Sequence, residues 1–403
     1  MKMIENGICA PKGFKASGVH CGIRKNKEKK DLALIYSMKR ANAAAIYTKN
    51  LVKGAPLIVT KEHLADGKAQ AIICNSGNAN TCNPDGVKIA SSMCSLLAEE
   101  LAVSPEDVIV ASTGVIGRRL DIKPIKDAMP CLVKGLAEKS APAAEAIMTT
   151  DTRIKEAAVS FDIGGRECRI GGIAKGSGMI NPNMATMLAF LTTDCSISSP
   201  MLQKALQEDA EDTFNMISVD GDTSTNDMAA ILANGLAGNQ EITEENEDFY
   251  KFKQALNMVT AALSRMIAAD GEGATKLLEC KVSGAKTQSD ARKAAKAVVD
   301  SSLLKAAMFG SDPNWGRIMS ALGSSGADID VNKVDVAFKS SPGQVVVCQD
   351  GFAVLYPEEL ARKILEQDHI QILVELKDGV FSATAFGCDL TYDYIKINGE
   401  YTT

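Results

Sequence analysis

Histidine is scarce in this chain. Only His20, His63 and His369 occur among 403 residues, and none lies beside a run of carboxylates, so the side chains that most often hold a catalytic metal are missing as a set. Cysteine is plentiful but unpatterned. Eleven are spread from Cys9 to Cys388 with no C-x-x-C pair, an odd number that fits free thiols in a reducing compartment better than a disulfide framework or a zinc site. No uninterrupted apolar run reaches the roughly 18 residues of a membrane span, and the opening Met-Lys-Met-Ile-Glu-Asn-Gly carries no apolar signal core; a cytoplasmic protein that does not engage membranes is expected. Positive charge is short as well. The net charge is −6, and Arg24 to Lys30 is the one basic run, which reads as a solvated loop and argues against a nucleic-acid surface. The phosphate-loop pattern G-x-x-x-x-G-K-[ST] does not occur, nor does any repeat or low-complexity segment.

What is present describes an ordinary globular chain, 46% apolar and 23% charged, long enough for two domains or one large layered domain. The pattern predicts strands at Asp31–Tyr36, Leu57–Thr60 and Ala69–Cys74, then an amide-rich Asn75-Ser-Gly-Asn-Ala-Asn80 that suits an Asx turn or a site at a strand end. An amphipathic helix follows over Gly86–Val103. The strand from Asp107 runs into Ser112-Thr-Gly-Val-Ile-Gly117, a turn where two adjacent backbone N–H groups can aim at one oxyanion. Helical spacing over Asp127–Ala146, broken near Pro130 and Pro142, leads to Thr149-Thr-Asp-Thr152. A hairpin turning at Gly164-Gly165 delivers the chain to the central stretch.

That stretch is Gly171 to Thr193. Glycines at 171, 172, 176 and 178, a lone Lys175 and the turn Asn181-Pro182-Asn183 give way to an apolar run from Met184, with Ala185-Thr186 at the junction. A threonine hydroxyl needs a base, and the α-amine of the same residue serves once the preceding peptide bond is cut, since it titrates near neutral pH. A strained bond behind a small residue would let the hydroxyl make that cut itself. Composition alone favours a plain glycine-rich turn before a core strand.

Beyond it come a helix from Pro200 to Gln207, the loop Ser218-Val-Asp-Gly-Asp-Thr-Ser-Thr-Asn-Asp227, a long helix over Asn246–Ala269 and Asp270-Gly-Glu-Gly-Ala-Thr-Lys276. Asp220, Asp222 and Ser224 approach calcium-loop spacing but lack the glycine and terminal glutamate of an EF-hand. A strand at Leu277–Val282, one helix over Ser289–Phe309, a packing turn around Trp315 and Arg317, strands at Val334–Phe338, Val345–Cys348, Ile370–Leu376 and Phe381–Phe386, and a helix over Pro357–Gln367 complete a smaller α+β lobe. The polar tail after Ile395 has the composition of a fraying end.

The segment Lys175-Gly-Ser-Gly-Met-Ile-x-Pro-Asn-Met-Ala-Thr-Met-Leu resembles the processing and active site of the ornithine acetyltransferase family, also called glutamate N-acetyltransferases. Further motifs in order, among them Asp220–Asp227, extend the resemblance from Gly13 to Thr403. It implies an α/β fold, a layered αββα sandwich of the self-processing amidase kind with the smaller C-terminal α+β lobe from about residue 280. It also implies self-cleavage between Ala185 and Thr186 into an alpha chain, 1–185, and a beta chain, 186–403. Thr186 is then the nucleophile, Thr113 and Gly114 the oxyanion pair, and Thr150, Thr152, Lys175, Thr186, Glu272, Asn398 and Thr403 the substrate-binding residues. The expected reaction passes acetyl from N-acetylornithine to glutamate in arginine biosynthesis, with no metal and no cofactor. Acetyl-CoA is a co-substrate for some members, and the expected assembly is two alpha plus two beta chains. An N-terminal-nucleophile aminopeptidase or amidase of similar fold, with water as acceptor, is the alternative enzyme. A binding or structural protein with an intact chain is the alternative outside catalysis.

Overall fold

The structure, a computed structural model, describes residues 1–181 and 187–400. It divides into two compact units, one made of Met1–Gly176, Asn183–Glu211 and Thr223–Leu263, the other of Ser177–Pro182, Asp212–Asp222 and Ser264–Thr403.

The first unit holds the strands Lys2–Ile4 (β1), Phe14–Val19 (β2), Leu32–Tyr47 (β3), Lys68–Asn75 (β4), Val108–Ser112 (β5), Lys155–Ile163 (β6), Arg166–Lys175 (β7), Leu188–Thr193 (β8) and Met228–Ala233 (β10). Among the described residues they join in the order β1-β6-β7-β8-β10-β3-β4-β5, with β2 also beside β3. Its helices are Ala55–His63 (α1), Gly86–Leu101 (α2), Ile122–Lys134 (α3), Ala141–Ala146 (α4), Ser199–Ala210 (α5) and most of Glu247–Ala269 (α6). β3 is the hinge of the sheet. Its first half pairs with β2 and β4, its second chiefly with β10, and the ladder to β4 shifts between Tyr36 and Ala41. The sheet folds over there. α4 and the turn Gly7–Cys9 touch both β2 and the β6–β7 pair, which brings the β2 side of the sheet over the β6–β7 side. Ile35, Ile72 and Ile109 of one half accordingly share a core with Ile173, Phe190 and Leu232 of the other.

Alternation supplies the outer layers. Leu34, Ile73 and Val110 point the opposite way and pack on α2 and α3, while α5 lies on β3 and α6 on β7, where a Cβ at Gly172 would meet Leu263 at 3.0 Å. The unit is thus helix, sheet, sheet, helix, the αββα layering implied by the resemblance.

The second unit holds Ile217–Ser218 (β9), Leu277–Ala285 (β11), Asp335–Ser340 (β12), Gly343–Gln349 (β13), Phe352–Ala353 (β14), His369–Glu375 (β15) and Phe381–Cys388 (β16). They form a sheet in the order β14-β13-β12-β15-β11-β16-β9. The helices Gln288–Asp300 (α7), Ser302–Phe309 (α8), Trp315–Ser324 (α9) and Glu358–Leu365 (α10) cover one face, and Tyr392–Glu400 (α11) ends the described chain. This is the smaller α+β lobe.

Several local readings change. Leu57–Thr60 is helical, not a strand, because Pro56 starts a helix and tertiary contacts override β-branched propensity: the Thr60 hydroxyl sits on the edge of β5, bonding the Val110 N–H at 2.9 Å and its carbonyl at 2.7 Å. The helix read over Ser289–Phe309 is two, α7 and α8, since Ser301 is extended and its hydroxyl caps Leu304 N–H at 3.3 Å. Trp315 and Arg317 open α9 instead of forming a plain turn, with Trp315 packed on the core. The tail from Tyr392 is a helix. β10 and the second half of β3 were not foreseen, because Met-Ala-Ala-Ile-Leu-Ala and Asn-Ala-Ala-Ala-Ile carry no alternation and are strands only by being buried among neighbours.

Candidate active site

β4 and β5 run parallel and end side by side at Asn75 and Ser112, the end of an α/β sheet where binding groups collect. The Asn75 side chain builds the turn that follows: its Oδ1 accepts from the N–H groups of Gly77 at 3.2 Å and Asn78 at 3.0 Å, and its Nδ2 donates to Ser112 Oγ at 2.6 Å. Asn78 and Asn80 spend their amides likewise, on Arg118 and Gly86 carbonyls. The amide-rich stretch is a turn, and its job is to seat the next one.

Next to it lies Thr113-Gly114. The Thr113 N–H donates to Asn75 O at 2.9 Å, so the sequence-based expectation of two adjacent backbone donors is corrected. At this turn the Gly114 N–H and the Thr113 hydroxyl have no partner among the described residues. Gly114 has φ +124°, and a Cβ there would fall 2.7 Å from the Gly77 carbonyl carbon and 2.8 Å from Asn78 N. Only glycine fits.

A buried charge cluster stands on the same unit. Asp151, 3% exposed, takes Lys155 Nζ at 2.6 Å and the Gly176 N–H at 2.7 Å on Oδ1, and the Thr149 N–H at 2.9 Å on Oδ2. It ties the Thr149–Thr152 loop to the end of β7, where Lys175 is 7% exposed. Burial alone would raise the Asp151 pKa, but Lys175, Lys155 and the Gly176 N–H outweigh it and hold the carboxyl below the usual range. Lys175 moves down: burial and the neighbouring Lys155 charge oppose its ammonium more than Asp151 and Asp227 support it. Of the two threonines assigned to substrate, Thr150 is half-buried and Thr152 exposed. Arg24 joins this loop to the Asn75 turn by donating to the carbonyls of Ser76 (Nε, 2.9 Å) and Met148, and Ser76 Oγ donates to Ala146 O at 2.6 Å.

The second unit carries the other assigned residues. Glu272 N–H donates to Ser177 O at 3.0 Å, the Glu272 carboxylate fills the space a side chain at Gly178 would need, and Asn398 Nδ2 on α11 donates to Glu272 Oε2 at 2.7 Å. Glu272 and Asn398, separated by 126 positions, are brought together. Asp220 grips the same segment: its carboxylate accepts the N–H groups of Met179 at 2.6 Å and Ile180 at 2.7 Å, and the Tyr394 hydroxyl at 3.2 Å. Met179 is held at φ +55°, a left-handed conformation that costs a bulky residue energy. Burial raises the Asp220 pKa, partly offset by those N–H groups, and burial and Asp220 raise that of Tyr394. Ala185, Thr186 and Thr403 lie outside the described residues.

Sequence reasoning missed Asp151, Lys155, Arg24 and the grip of Asp220. An Asp–Lys pair at i, i+4 and the acidic run at Asp220–Asp227 were the available signals, but each reads equally well as a solvated surface.

A strand-end turn with a glycine-locked N–H and a hydroxyl that has no partner among the described residues, on the same α/β sandwich as a buried lysine, suits an acyl-transfer enzyme. The ArgJ family model matches residues 15–403. The chain is 51% identical over 405 positions to the arginine biosynthesis bifunctional protein ArgJ of Caldanaerobacter subterraneus subsp. tengcongensis, covering 100% of both chains. It is 47% identical to the glutamate N-acetyltransferase of Methanocaldococcus jannaschii, again across 100% of both. A crystal structure of ArgJ from Bacillus halodurans shares 45% identity with a TM-score of 0.51 and is matched over its whole length by 54% of this chain. This protein belongs to the ArgJ family.

Proposed function

We propose that this enzyme is a glutamate N-acetyltransferase that carries acetyl from N-acetylornithine to glutamate through an ester on Thr186, releasing ornithine and then N-acetylglutamate for arginine biosynthesis. The observation that carries the reading is the Thr113–Gly114 turn, whose two donors suit the oxygen of a tetrahedral intermediate. In the first half-reaction Thr186 Oγ attacks the acetyl carbonyl, its proton passes by way of the residue's own amine to the donor's amide nitrogen, the C–N bond breaks and ornithine leaves with that nitrogen as its free amine. In the second, the glutamate amine attacks the ester carbonyl, the C–O bond breaks and the proton returns to Thr186. The ester stores the group between halves, so the route calls for no cofactor. Lys175 pairs with a substrate carboxylate and Glu272 with a substrate ammonium, with Thr150, Thr152, Asn398 and Thr403 around them.

The amine of Thr186 exists only after cleavage at Ala185–Thr186. Cleavage there would leave residues 1–185 and 186–403, the second holding 218 of the 403. Two alpha and two beta chains in a cytoplasmic assembly complete the proposal; among the described residues no helix is long and apolar enough to cross a membrane. The test is acetyl transfer from N-acetylornithine with and without glutamate, with acetyl-CoA assayed beside it as donor. Ornithine formation that depends on glutamate is expected. Acetate release at the same rate without glutamate would overturn the reading in favour of a hydrolase. Thr186→Ala should give one uncut, inactive chain, and wild-type turnover from that variant would overturn the nucleophile assignment.

A further inference from the structure

The run Asp220–Asp227 has no part in the reaction as written, yet one of its residues reaches the oxyanion turn. We propose that Asn226 is the positioning residue of that turn, fixing where the Gly114 N–H and the Thr113 hydroxyl point; the inference rests on the acyl-transfer reading above and assigns to Asn226 no contact with substrate.

Asn226 is 4% exposed, and its amide uses both donors and accepts twice. Nδ2 donates to Ala79 O at 2.6 Å and to Ser112 O at 2.9 Å, and Oδ1 accepts from Thr81 Oγ1 at 2.5 Å and Thr225 Oγ1 at 2.6 Å. Ser112 O belongs to the peptide that leads into Thr113, so holding that carbonyl fixes the plane from which the pair departs. The other anchor, Ala79, donates its own N–H to Val115 O at 2.9 Å. Asn226 therefore grips the residue before the pair directly and the residue after it through Ala79, while the Gly114 N–H and the Thr113 hydroxyl have no partner among the described residues. The amide cannot swing away. A Cβ at Gly54 would lie 2.5 Å from Nδ2, and Gly54 N–H is bonded to Thr225 O at 2.9 Å.

No other side chain of this size does the same work. Two carbonyls demand two donors and two hydroxyls demand acceptors on the opposite side, which only a primary amide supplies in one plane. Aspartate keeps the shape and the acceptor side but turns the donor side into a second acceptor facing two carbonyls. Oxyanion donors act by being fixed in advance, and loss of one costs on the order of 10²–10³ in kcat, so a turn released at Ser112 should lose rate while ground-state binding stays.

The experiment compares steady-state kinetics of cut Asn226→Asp, Thr225→Val, Thr113→Ala and the Asn226→Asp/Thr113→Ala pair. Expected are a fall in kcat of about 10²-fold for Asn226→Asp with KM for N-acetylornithine and glutamate within about threefold of wild type, a smaller fall of the same kind for Thr225→Val, and a double variant far less impaired than the product of its singles. A Thr113→Ala variant slowed as expected beside an Asn226→Asp variant with wild-type kcat, or a double variant that is fully multiplicative, would overturn the role of Asn226 and leave the oxyanion assignment standing. Wild-type kcat in Thr113→Ala would instead overturn the oxyanion assignment. If Asn226→Asp does not fold or cut, Thr225→Val decides: kcat lowered at constant KM supports the proposal, and an unchanged kcat or a change confined to KM refutes it.

Discussion

At Gly114 a backbone constraint coincides with the proposed oxyanion role. The φ of +124° and the approach of the Gly77 carbonyl carbon leave no place for a methyl group, so Gly114→Ala should displace the N–H and lower kcat by about 10²-fold or more while melting temperature falls only modestly; a variant with wild-type kcat would show that this N–H is not used. Lys175 makes a pH prediction. Its pKa is lowered, first by burial and then by Lys155, whereas in the unfolded chain it is that of an ordinary lysine. Folding therefore favours the neutral amine, and this group's contribution to stability rises with pH between the folded and the unfolded value. The same shift makes Lys175 lose its charge, and its hold on a carboxylate, below the usual lysine range. KM for the carboxylate-bearing substrates should climb on the alkaline side at a pH lower than an unperturbed lysine would give, and Lys175→Met should raise KM at every pH and erase that limb. A limb that persists in Lys175→Met would assign it to another group.

Elements matter here mainly through what clamps them. The segment Ser177–Asn181 runs from the end of β7 toward the proposed cleavage position, and Asp220 holds two of its N–H groups while Met179 sits in the left-handed region. Removing that carboxylate leaves two N–H groups without their acceptor and lets the segment relax, which should slow cleavage more than it lowers stability. Asp220→Ala should accumulate full-length chain on denaturing gels at least several-fold longer than wild type, and cleavage at the wild-type rate would show that the grip is structural only. The helix α11 was legible as nothing more than a polar tail; it becomes an element because Thr391 Oγ1 donates to Gly273 O at 2.7 Å and Asn398 to Glu272, contacts that local pattern cannot register. The opposite holds for α6. Its buried positions Phe249, Phe252, Leu256, Val259, Leu263 and Ile267 repeat at helical spacing, and its extent was readable almost to the residue.

For the molecule as a whole the prediction is covalent. Mature protein should separate under denaturing conditions into two fragments with the masses of residues 1–185 and 186–403, the second beginning Thr-Met-Leu, and should not separate under native conditions. The first unit's compact body contains chain from both sides of the cleavage point: β8 and β10 lie between β7 and β3 in one sheet. Fragments cut between β7 and β8 would therefore be woven through one hydrogen-bonded ladder and should stay together. An active preparation with a single full-length band would refute the cleavage.

The order of motifs, the glycine-rich approach to Ala185-Thr186, the glycine at 114 and the alternation that makes an α/β chain are properties of residues close in sequence, and the sequence alone determined them. Tertiary structure decided that the Thr113 N–H is spent on Asn75 O, that Asp151 sits between Lys155 and Gly176, and that Asn226 reaches Ser112 across 114 positions. The physical reason is that a periodic pattern says which face of an element is buried, whereas a hydrogen bond between distant segments depends on how the sheet bends at β3 and which strand ends that bend brings side by side.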